Sequence, residues 1–305
     1  VGEWIVDRIF LTNDQELEFE KGVVLSAKKG AFKGKNDSIL NGIGLRNSVI
    51  TGNGALVRMW KADYFGPGYD RAEWRMALNL RSASNVRVSD ITLKDSGGDG
   101  VYLGNAGKPY PPYCMDIALR KVTCDGNARQ GISVISAINL LIEDCALINT
   151  SGTAPEAGID WEPNLSNECI VNNVMRRTRI AGNTGNGIDL YLVNLTAATR
   201  DLSIKIQDCQ VQGNRNSMVL TFRGDDSPGG LIGVEGTRFI DPLGNGTVLA
   251  NKATQAARVQ FRNCLFTCGT NLSQGLLFPL VLSCNREPLT SLGGLSFDRC
   301  SAKIR

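Results

Sequence analysis

Residues 130–161 read QGISVISAINLLIEDCALINTSGTAPEAGIDW, a stretch of short aliphatic strands and polar turns that ends on a second copy of its opening pattern. The glycine near its start recurs at the same place in each unit, at Gly100, Gly131, Gly158 and Gly187, and the series continues at Met218 and Gly246. The unit therefore repeats about every 30 residues. A repeat of this length is typical of a stacked architecture.

Each unit contains several short strands and no helical periodicity. This combination predicts an all-β fold, a single-stranded right-handed parallel β-helix of roughly nine or ten coils. We expect residues 1–305 to form one such domain, with residues 1–16 as an N-terminal cap. Residues 59–76 and 105–114 lack the repeat, so we expect them to be loop insertions that flank a groove.

The composition excludes several classes of function. The chain has 33 Lys and Arg residues against 30 Asp and Glu residues, a net charge of +3. This balance predicts no nucleic-acid partner, and the lack of a long apolar run predicts no membrane span. Because the sequence contains no histidine, any catalysis must use carboxylates, Lys, Arg, Tyr or Cys. The oligomeric state stays open between a monomer and a homo-oligomer.

Alternation along the strands predicts one outward-facing sheet that carries acidic side chains. Asp160 and Asp189 occupy equivalent places on adjacent coils, Glu162 is the next outward residue after Asp160, and Asp99 precedes the glycine two coils earlier. The same rule, with Met218 as the anchor glycine's equivalent, places Val219 inward and Leu220 outward.

Two carboxylates of which one can hold a proton meet the requirement of glycoside hydrolysis. Adjacent-coil carboxylates suit a retaining mechanism, whereas Asp160 with Asp99 suits an inverting one, and the sequence does not choose between them. The chemistry requires no cofactor. The alternative is a calcium site at Asp160, Glu162 and Asp189, because hard oxygen ligands suit that ion.

Residues near this cluster have side chains that suit glycan binding. Arg129 and Gln130 lie on the coil between Asp99 and Asp160, where an arginine could bind a substrate carboxylate or sulfate, or could pair with Asp160. Aromatic rings in exposed loops can stack on sugar rings. The predicted substrate-binding set is Arg129, Gln130, Tyr102, Tyr191, Tyr64, Tyr69, Trp74, Arg75, Tyr110 and Tyr113.

The nine cysteines cannot all pair within the chain, and none forms a CxxC motif. Cys145, Cys209 and Cys264 fall on alternate coils, roughly 9.6 Å apart by the strand spacing, which is beyond the reach of a disulfide. We expect these three to be reduced thiols in the core. A disulfide among Cys114, Cys169, Cys268 and Cys284 stays open.

The coils SGGDGVYLG (96–104), NARQGISVISAINLLIEDC (127–145), TSGTAPEAGIDWEPN (150–164) and NTGNGIDLYL (183–192) resemble bacterial β-helix proteins of the pectin-lyase-like superfamily. This resemblance extends over nearly the whole chain. It implies extracellular or periplasmic action on polysaccharides or oligosaccharides, as a hydrolase, lyase or epimerase.

Two families within that superfamily show more detailed likeness. GGDG followed one coil later by ARQG is similar to the mannuronan epimerase pattern of a DG turn and an Arg-His-Gly turn, with Gln130 in place of the histidine. Polygalacturonases carry three aspartates on the same exposed sheet, and Asp99, Asp160 and Asp189 are similar in kind, although no Gly-His-Gly turn is present.

Three functions follow as hypotheses. The first is a glycoside hydrolase that uses Asp160 and Asp189. The second is a polysaccharide lyase or epimerase acting on uronates, in which Lys94, Arg75 or a tyrosine abstracts the proton. The third is a glycan-binding β-helix that releases no product.

Overall fold

The structure is a computed structural model that describes residues 2–269, 277–284 and 291–304. These residues contain one short helix, α1, Lys61–Tyr64. The strands are β1 Glu3–Val6, β2 Ile9–Phe10, β3 Glu16–Glu18, β4 Val24–Ala27, β5 Leu40–Ile43, β6 Arg46–Arg58, β7 Leu78–Arg81, β8 Ser84–Lys94, β9 Val101–Gly104, β10 Cys114–Asp125, β11 Gln130–Val134, β12 Ala137–Glu143, β13 Ala146–Ile148, β14 Ala157–Trp161, β15 Ile170–Arg176, β16 Arg179–Ala181, β17 Ile188–Tyr191, β18 Leu202–Gln207, β19 Gln210–Gln212, β20 Met218–Thr221, β21 Gly230–Glu235, β22 Arg238–Ile240, β23 Thr247–Ala250, β24 Arg258–Arg262, β25 Leu265–Cys268, β26 Leu280–Ser283, β27 Leu295–Asp298 and β28 Ser301–Ile304.

The strands form a parallel β-helix, which confirms the predicted fold class. One sheet has ten strands in the order β2-β5-β7-β9-β11-β14-β17-β20-β23-β26, one from each coil. The other coil faces join in an eighteen-stranded sheet, because long strands such as β6, β8 and β10 continue around a corner. The described residues therefore make ten coils, at the upper end of the predicted number.

The core lies inside the coils and is built from columns of aliphatic side chains. Val101, Ile132, Ile159 and Ile188 lie in register on neighbouring strands of the ten-stranded sheet, and each is fully buried. Stacked strands lie about 4.8 Å apart, so each inward position contacts its equivalents above and below. The repeat therefore packs its own core without any helix.

Buried asparagines hold the turn that precedes the ten-stranded sheet. The side-chain oxygens of Asn127, Asn183 and Asn214 accept hydrogen bonds from the backbone N–H groups of Ser96, Thr150 and Asn183, at 2.9–3.0 Å. Their amide groups donate in turn to carbonyl oxygens of neighbouring coils. These bonds replace backbone pairing at the turn and fix the start of the next strand.

The two irregular segments lie where the strands stop. Residues 59–76 include α1, and the buried Arg75 ties the segment down by donating from Nε to the carbonyl of Phe32 (2.8 Å) and from Nη2 to that of Lys33 (3.0 Å). Residues 105–114 run from the end of β9 into the first residue of β10. The expected cap, residues 1–16, contains β1 and β2, which are outermost strands that pair with β4 and β5.

The structure corrects the predicted register at Met218. Met218 pairs with Ile188 and Val219 with Asp189, so that Leu220 is fully buried and Val219 lies on the outward side. The prediction was wrong by one residue because Met218 was aligned with the anchor glycines, whereas it occupies the inward position that follows the anchor.

All nine cysteines are free in the structure, and they lie within its described residues. Seven are buried, among them Cys114, Cys145 and Cys169, while Cys284 is exposed. Burial raises the pKa of the Cys145 and Cys209 thiols to about 11, so both stay protonated at neutral pH. No helix in the described parts of the chain is both long and apolar enough to span a bilayer.

Candidate carboxylate site

The outward face of the ten-stranded sheet carries the predicted acidic ladder. Tyr102, Ser133, Asp160 and Asp189 lie in register on β9, β11, β14 and β17. Asp160 and Asp189 are therefore neighbours on adjacent strands, as the repeat predicts. Glu162 follows β14 directly, two residues after Asp160, and lies on the same side of the sheet.

Asp160 is more deeply enclosed than expected, with only 1% of its surface exposed. Gln130 Nε2 donates to Asp160 Oδ2 (2.5 Å), and Ser133 Oγ donates to Oδ1 (3.1 Å). Burial raises the pKa of Asp160 well above its usual value, and the charge of Glu162 raises it further. The expectation that Asp160 faces solvent was wrong, because polar side chains of the preceding coil surround its carboxyl group.

Asp189 is the more accessible member of the pair. Its side chain is partly exposed and accepts a hydrogen bond from Asn186 Nδ2 on Oδ2 (2.7 Å). Partial removal from water, with a further contribution from the charge of Glu162, raises the pKa of Asp189 to about 6. A carboxyl group in this state can carry a proton close to neutral pH.

Arg129 joins carboxylates from three parts of the chain. Its guanidinium lies 3.2 Å from Glu162 (Nη2–Oε2), 3.2 Å from Glu73 (Nε–Oε2) and 3.8 Å from Asp99 (Nη1–Oδ1). Glu73 was not among the predicted site residues, although it lies in the predicted loop 59–76. Its only signal was an acidic residue between Arg71 and Arg75 in an aromatic loop.

Asp99 is fully buried, and neither of its carboxylate oxygens has a hydrogen-bond partner among the described residues. The 3.8 Å contact with Arg129 exceeds hydrogen-bond length. Desolvation, only partly offset by Arg129, raises the pKa of Asp99 to about 7. Asp99 thus belongs to the cluster as predicted, but it lies behind Arg129 and does not line an open groove.

The structure changes the assignment of four predicted substrate-binding residues. Gln130 is fully buried, and its Oε1 accepts a hydrogen bond from the backbone N–H of Ala157 (2.9 Å), so it positions Asp160. Arg75 and Tyr64 are buried at 1% and 5% exposure, and Tyr64 packs edge-on against Tyr69. Arg75, Tyr64 and Tyr69 support the loop 59–76, because their polar and aromatic groups contact other residues of the protein.

The remaining predicted aromatic residues are accessible to different degrees. Trp74 and Tyr110 are exposed, whereas Tyr102, Tyr113 and Tyr191 are half-buried. The guanidinium of Arg81 lies over the ring of Tyr102, 5.1 Å from its centroid. Tyr191 follows Asp189 by two residues and therefore lies on the same outward face.

A cleft of about 710 Å³ opens beside the carboxylates. The loop 59–76 forms one wall, and the long turn at residues 152–154 forms the other. Glu73 belongs to this lining and also contacts Arg129, so the cleft and the acidic cluster are adjacent. The lining residues are Lys35, Tyr64, Phe65, Arg71, Ala72, Glu73, Trp74, Arg75, Gly97, Gly152, Thr153 and Ala154.

The expected calcium ligands do not fit a calcium ion. Across residues 2–269, 277–284 and 291–304, no three or more His, Cys, Asp or Glu side chains are grouped so that they could hold a metal. The guanidinium of Arg129 already balances Glu162, and Gln130 and Ser133 occupy the oxygens of Asp160. We therefore assign no calcium site to Asp160, Glu162 and Asp189.

Comparison with known proteins supports the fold. The family described as "Right handed beta helix region" matches residues 4–160, just over half of the chain. Two curated proteins of Bacillus subtilis (strain 168) show partial similarity. The uncharacterized protein YclG is 26% identical over 126 residues, and the SPbeta prophage-derived uncharacterized protein YorA is 23% identical over 164 residues.

These alignments cover 38% and 50% of this chain, but only 22% of YclG and 28% of YorA. The chain therefore corresponds to about a quarter of the length of the curated relatives that it matches. Neither relative carries an assigned function in its name.

Solved structures share the architecture at low sequence identity. A tailspike protein double mutant of E. coli bacteriophage HK620 superposes with a TM-score of 0.53 at 13% identity, covering 99% of this chain and 55% of that one. The A-module of the Azotobacter vinelandii mannuronan C-5 epimerase AlgE6 gives a TM-score of 0.52 at 12% identity, covering 99% and 88%. At these identities the likeness concerns the fold alone.

Proposed function

This chain belongs to the right-handed β-helix family, and on that basis we propose that it is a polysaccharide- or oligosaccharide-degrading enzyme of the glycoside hydrolase type. The observation that carries the proposal is the placement of Asp189 and Glu162 on one outward face in different electrostatic environments. The fold is compatible with other activities, so the proposal rests on these side chains.

Asp189 is the proposed general acid. Its pKa of about 6 allows it to hold a proton near neutral pH, and its partial exposure allows contact with a glycosidic oxygen. The acid must donate that proton to the leaving group as the glycosidic bond breaks. Asp160, although adjacent to Asp189, is a positioning residue in this scheme because its carboxyl group is enclosed.

Glu162 is the proposed partner carboxylate. Its carboxylate forms an ion pair with the Arg129 guanidinium at 3.2 Å, and 27% of its side chain is exposed. Asp189 forms no such ion pair among the described residues, and a pair of carboxyl groups in different environments can divide into an acid and a base. Arg129 holds Glu162 in place and does not itself face the substrate, since three carboxylates surround its guanidinium.

The positions of the two residues allow an inverting mechanism. Asp189 is one strand away from Asp160 and Glu162 is two residues further along, so their Cα atoms are roughly 8 Å apart by standard sheet dimensions. Inverting glycosidases separate their carboxyl groups by about 6.5–9.5 Å, which leaves room for the attacking water. Glu162 then activates that water while Asp189 protonates the departing oxygen.

The lyase or epimerase hypothesis receives less support. It requires a cation that neutralises a uronate carboxylate, and Arg129 is already balanced by the protein's own carboxylates. Arg75 is unavailable as a base because its guanidinium donates to backbone carbonyls. Lys94 is paired with Asp125. An extracellular or periplasmic location stays a prediction that rests on the family resemblance.

The test is hydrolysis of a panel of glycans, followed by reducing-end release. We expect Asp189→Asn and Glu162→Gln each to lower kcat by at least about 1,000-fold, with unfolding temperatures close to that of the wild type. Activity should fall as pH rises above about 6, because Asp189 then loses the proton that it must donate. NMR of the first product should show inversion at the anomeric carbon.

Glu235→Gln is the matched control, because Glu235 is an exposed carboxylate on β21, in the other sheet. This variant should retain wild-type activity. Full activity of either site variant would refute the assignment. An unsaturated product that absorbs in the ultraviolet would instead identify a lyase, and glycan binding without any product would identify a binding protein.

A further inference from the structure

The cleft beside the carboxylates is a built cavity and not a shallow depression in the sheet. Arg75 holds the loop 59–76 by donating to the carbonyls of Phe32, Lys33 and Asp70, which joins this wall of the cleft to residues 32–33. The long turn forms the opposite wall, where Phe65 packs against Gly152 so closely that a Cβ on this glycine would lie 2.8 Å from the ring. The walls are therefore held by packing.

The charged groups that line the cleft are predominantly positive. Lys35 and Arg71 are exposed, and neither forms an ion pair within the part of the chain that the structure describes. Arg75 adds a third cation, whose hydrogen-bond partners are neutral carbonyl groups. Among the described residues, Glu73 is the only carboxylate in the lining, and its partner Arg129, at 3.2 Å, is shared with Glu162.

Other acidic side chains near the cleft do not cancel this charge. Asp37 and Asp70 lie close enough to act on the charge of Arg75, but Asp37 is paired with Arg8 at 2.9 Å and neither carboxylate lines the cleft. Trp74 and Phe65 expose 42% and 59% of their surfaces at the cleft, so the cations lie beside aromatic rings. Aromatic faces next to cations can accommodate a sugar ring that carries a negative substituent.

The adjacent cluster has the opposite charge. Arg129 pairs with both Glu162 and Glu73, at 3.2 Å each, and Asp189 beside Glu162 forms no ion pair among the described residues, so carboxyl groups outnumber the single cation there. A sugar with an anionic group would therefore be repelled at the cluster and attracted in the cleft. The two neighbouring positions have opposite electrostatic preferences.

We propose that the cleft lined by Lys35, Arg71 and Trp74 is a subsite for an anionic sugar, and that the sugar at the carboxylate cluster is uncharged. The glycan would then alternate, or at least mix, anionic and neutral units. The anionic group is a carboxylate, sulfate or phosphate ester, since each offers acceptor oxygens to Lys and Arg. This inference rests on the proposed function only in taking the ligand to be a glycan.

The test is binding to an immobilised array that contains neutral glycans, homopolymers of uronates, and copolymers of neutral sugars with carboxylated, sulfated or phosphorylated sugars. We expect the copolymers to bind best, and binding to weaken as salt concentration rises. The double variant Lys35→Ala/Arg71→Ala should reduce affinity for them at least tenfold. The copolymer arms identify which anionic group is bound.

The matched control is Lys205→Ala/Arg238→Ala, which removes the same number of exposed cations from β18 and β22 in the other sheet. It should leave copolymer binding unchanged. The inference is overturned if neutral glycans or uronate homopolymers bind best, if the cleft variant binds as the wild type does, or if the array retains no protein. Hydrolysis and binding are measured separately. If Asp189→Asn loses turnover while the cleft variant binds as the wild type does, the subsite is refuted and the proposed function is not.

Discussion

Arg129 is the residue that organises the candidate site, because its guanidinium joins Glu73, Glu162 and Asp99. Without it, several carboxyl groups would share one poorly hydrated space. The asymmetry among them follows from solvent access. Glu162 is paired and partly exposed, whereas within the described residues Asp189 forms no ion pair and the buried Asp99 accepts no hydrogen bond.

The buried Asp99 carboxyl group should make the stability of the protein depend on pH. Its pKa is about 7 in the folded protein, against an ordinary value of 3.8, so the folded state retains a proton that the unfolded chain has lost. Wild-type stability should therefore decline as pH rises from about 4 to about 7, by up to about 4 kcal/mol from this group. In Asp99→Asn this decline should be smaller.

Thermal unfolding measured at intervals between pH 4 and pH 8 checks this prediction. Asp90→Asn is the control, because Asp90 is exposed and its backbone, at φ 52°, suits asparagine equally well. It should follow the wild-type curve. If Asp99→Asn also follows that curve, Asp99 is better compensated than its geometry indicates.

At the scale of secondary-structure elements, the anchor glycines allow successive coils to approach. A Cβ on Gly131 would lie 2.3 Å from the carbonyl oxygen of Gly158, and one on Gly100 would lie 2.6 Å from that of Gly131. The obstructing atoms belong to the backbone, which cannot rotate away as a side chain can. The repeat of glycine in the sequence therefore reflects the close stacking of β9, β11 and β14.

Gly131→Ala should accordingly destabilise the protein, by about 1–3 kcal/mol, because the neighbouring coil must shift. Gly233→Ala on β21 is the matched control, since its nearest heavy atom is 4.0 Å from the added Cβ. Chemical denaturation of both variants gives the comparison. Equal stability of the two would show that the coils can separate at Gly131 without cost.

At the scale of the whole molecule, the strands of each coil pair with strands of the coils before and after it. Stability in such a stack depends on interfaces between neighbours, and the outermost coils have one interface where inner coils have two. In the described residues, all positions of β28 are exposed, whereas β11 and β14 are completely buried. The central coils, which also carry the carboxylates, are therefore the best protected.

Hydrogen–deuterium exchange should show this gradient directly. Peptides that contain β11 or β14 should exchange slowest, and peptides that contain β2 or β28 should exchange fastest, because local opening costs least at the ends. Mass spectrometry of proteolytic fragments gives the measurement. Uniform protection along the chain would mean that all ten coils unfold as one cooperative unit.

Prediction from sequence succeeded wherever the repeat applied. The register of Asp160 with Asp189 follows from their equal distance from Gly158 and Gly187, and stacking converts equal position into spatial contact. It failed by one residue at Met218, where the anchor is not a glycine. It also assigned Arg75 to substrate, because nothing in the sequence shows that backbone carbonyls surround its side chain.

The amino-acid sequence by itself thus determined the parallel coils, the inward aliphatic columns and the alignment of the acidic ladder, because all three depend on a local period. Only the tertiary structure decided that Asp160 is enclosed, that Glu73 reaches Arg129, and that a positive cleft adjoins a negative cluster. The enclosure of Asp160 comes from Gln130 and Ser133 on the preceding coil, whereas the other two features come from the non-repeating loop 59–76 and the long turn at 152–154. Their position relative to the sheet depends on contacts between residues far apart in the chain, which no periodicity records.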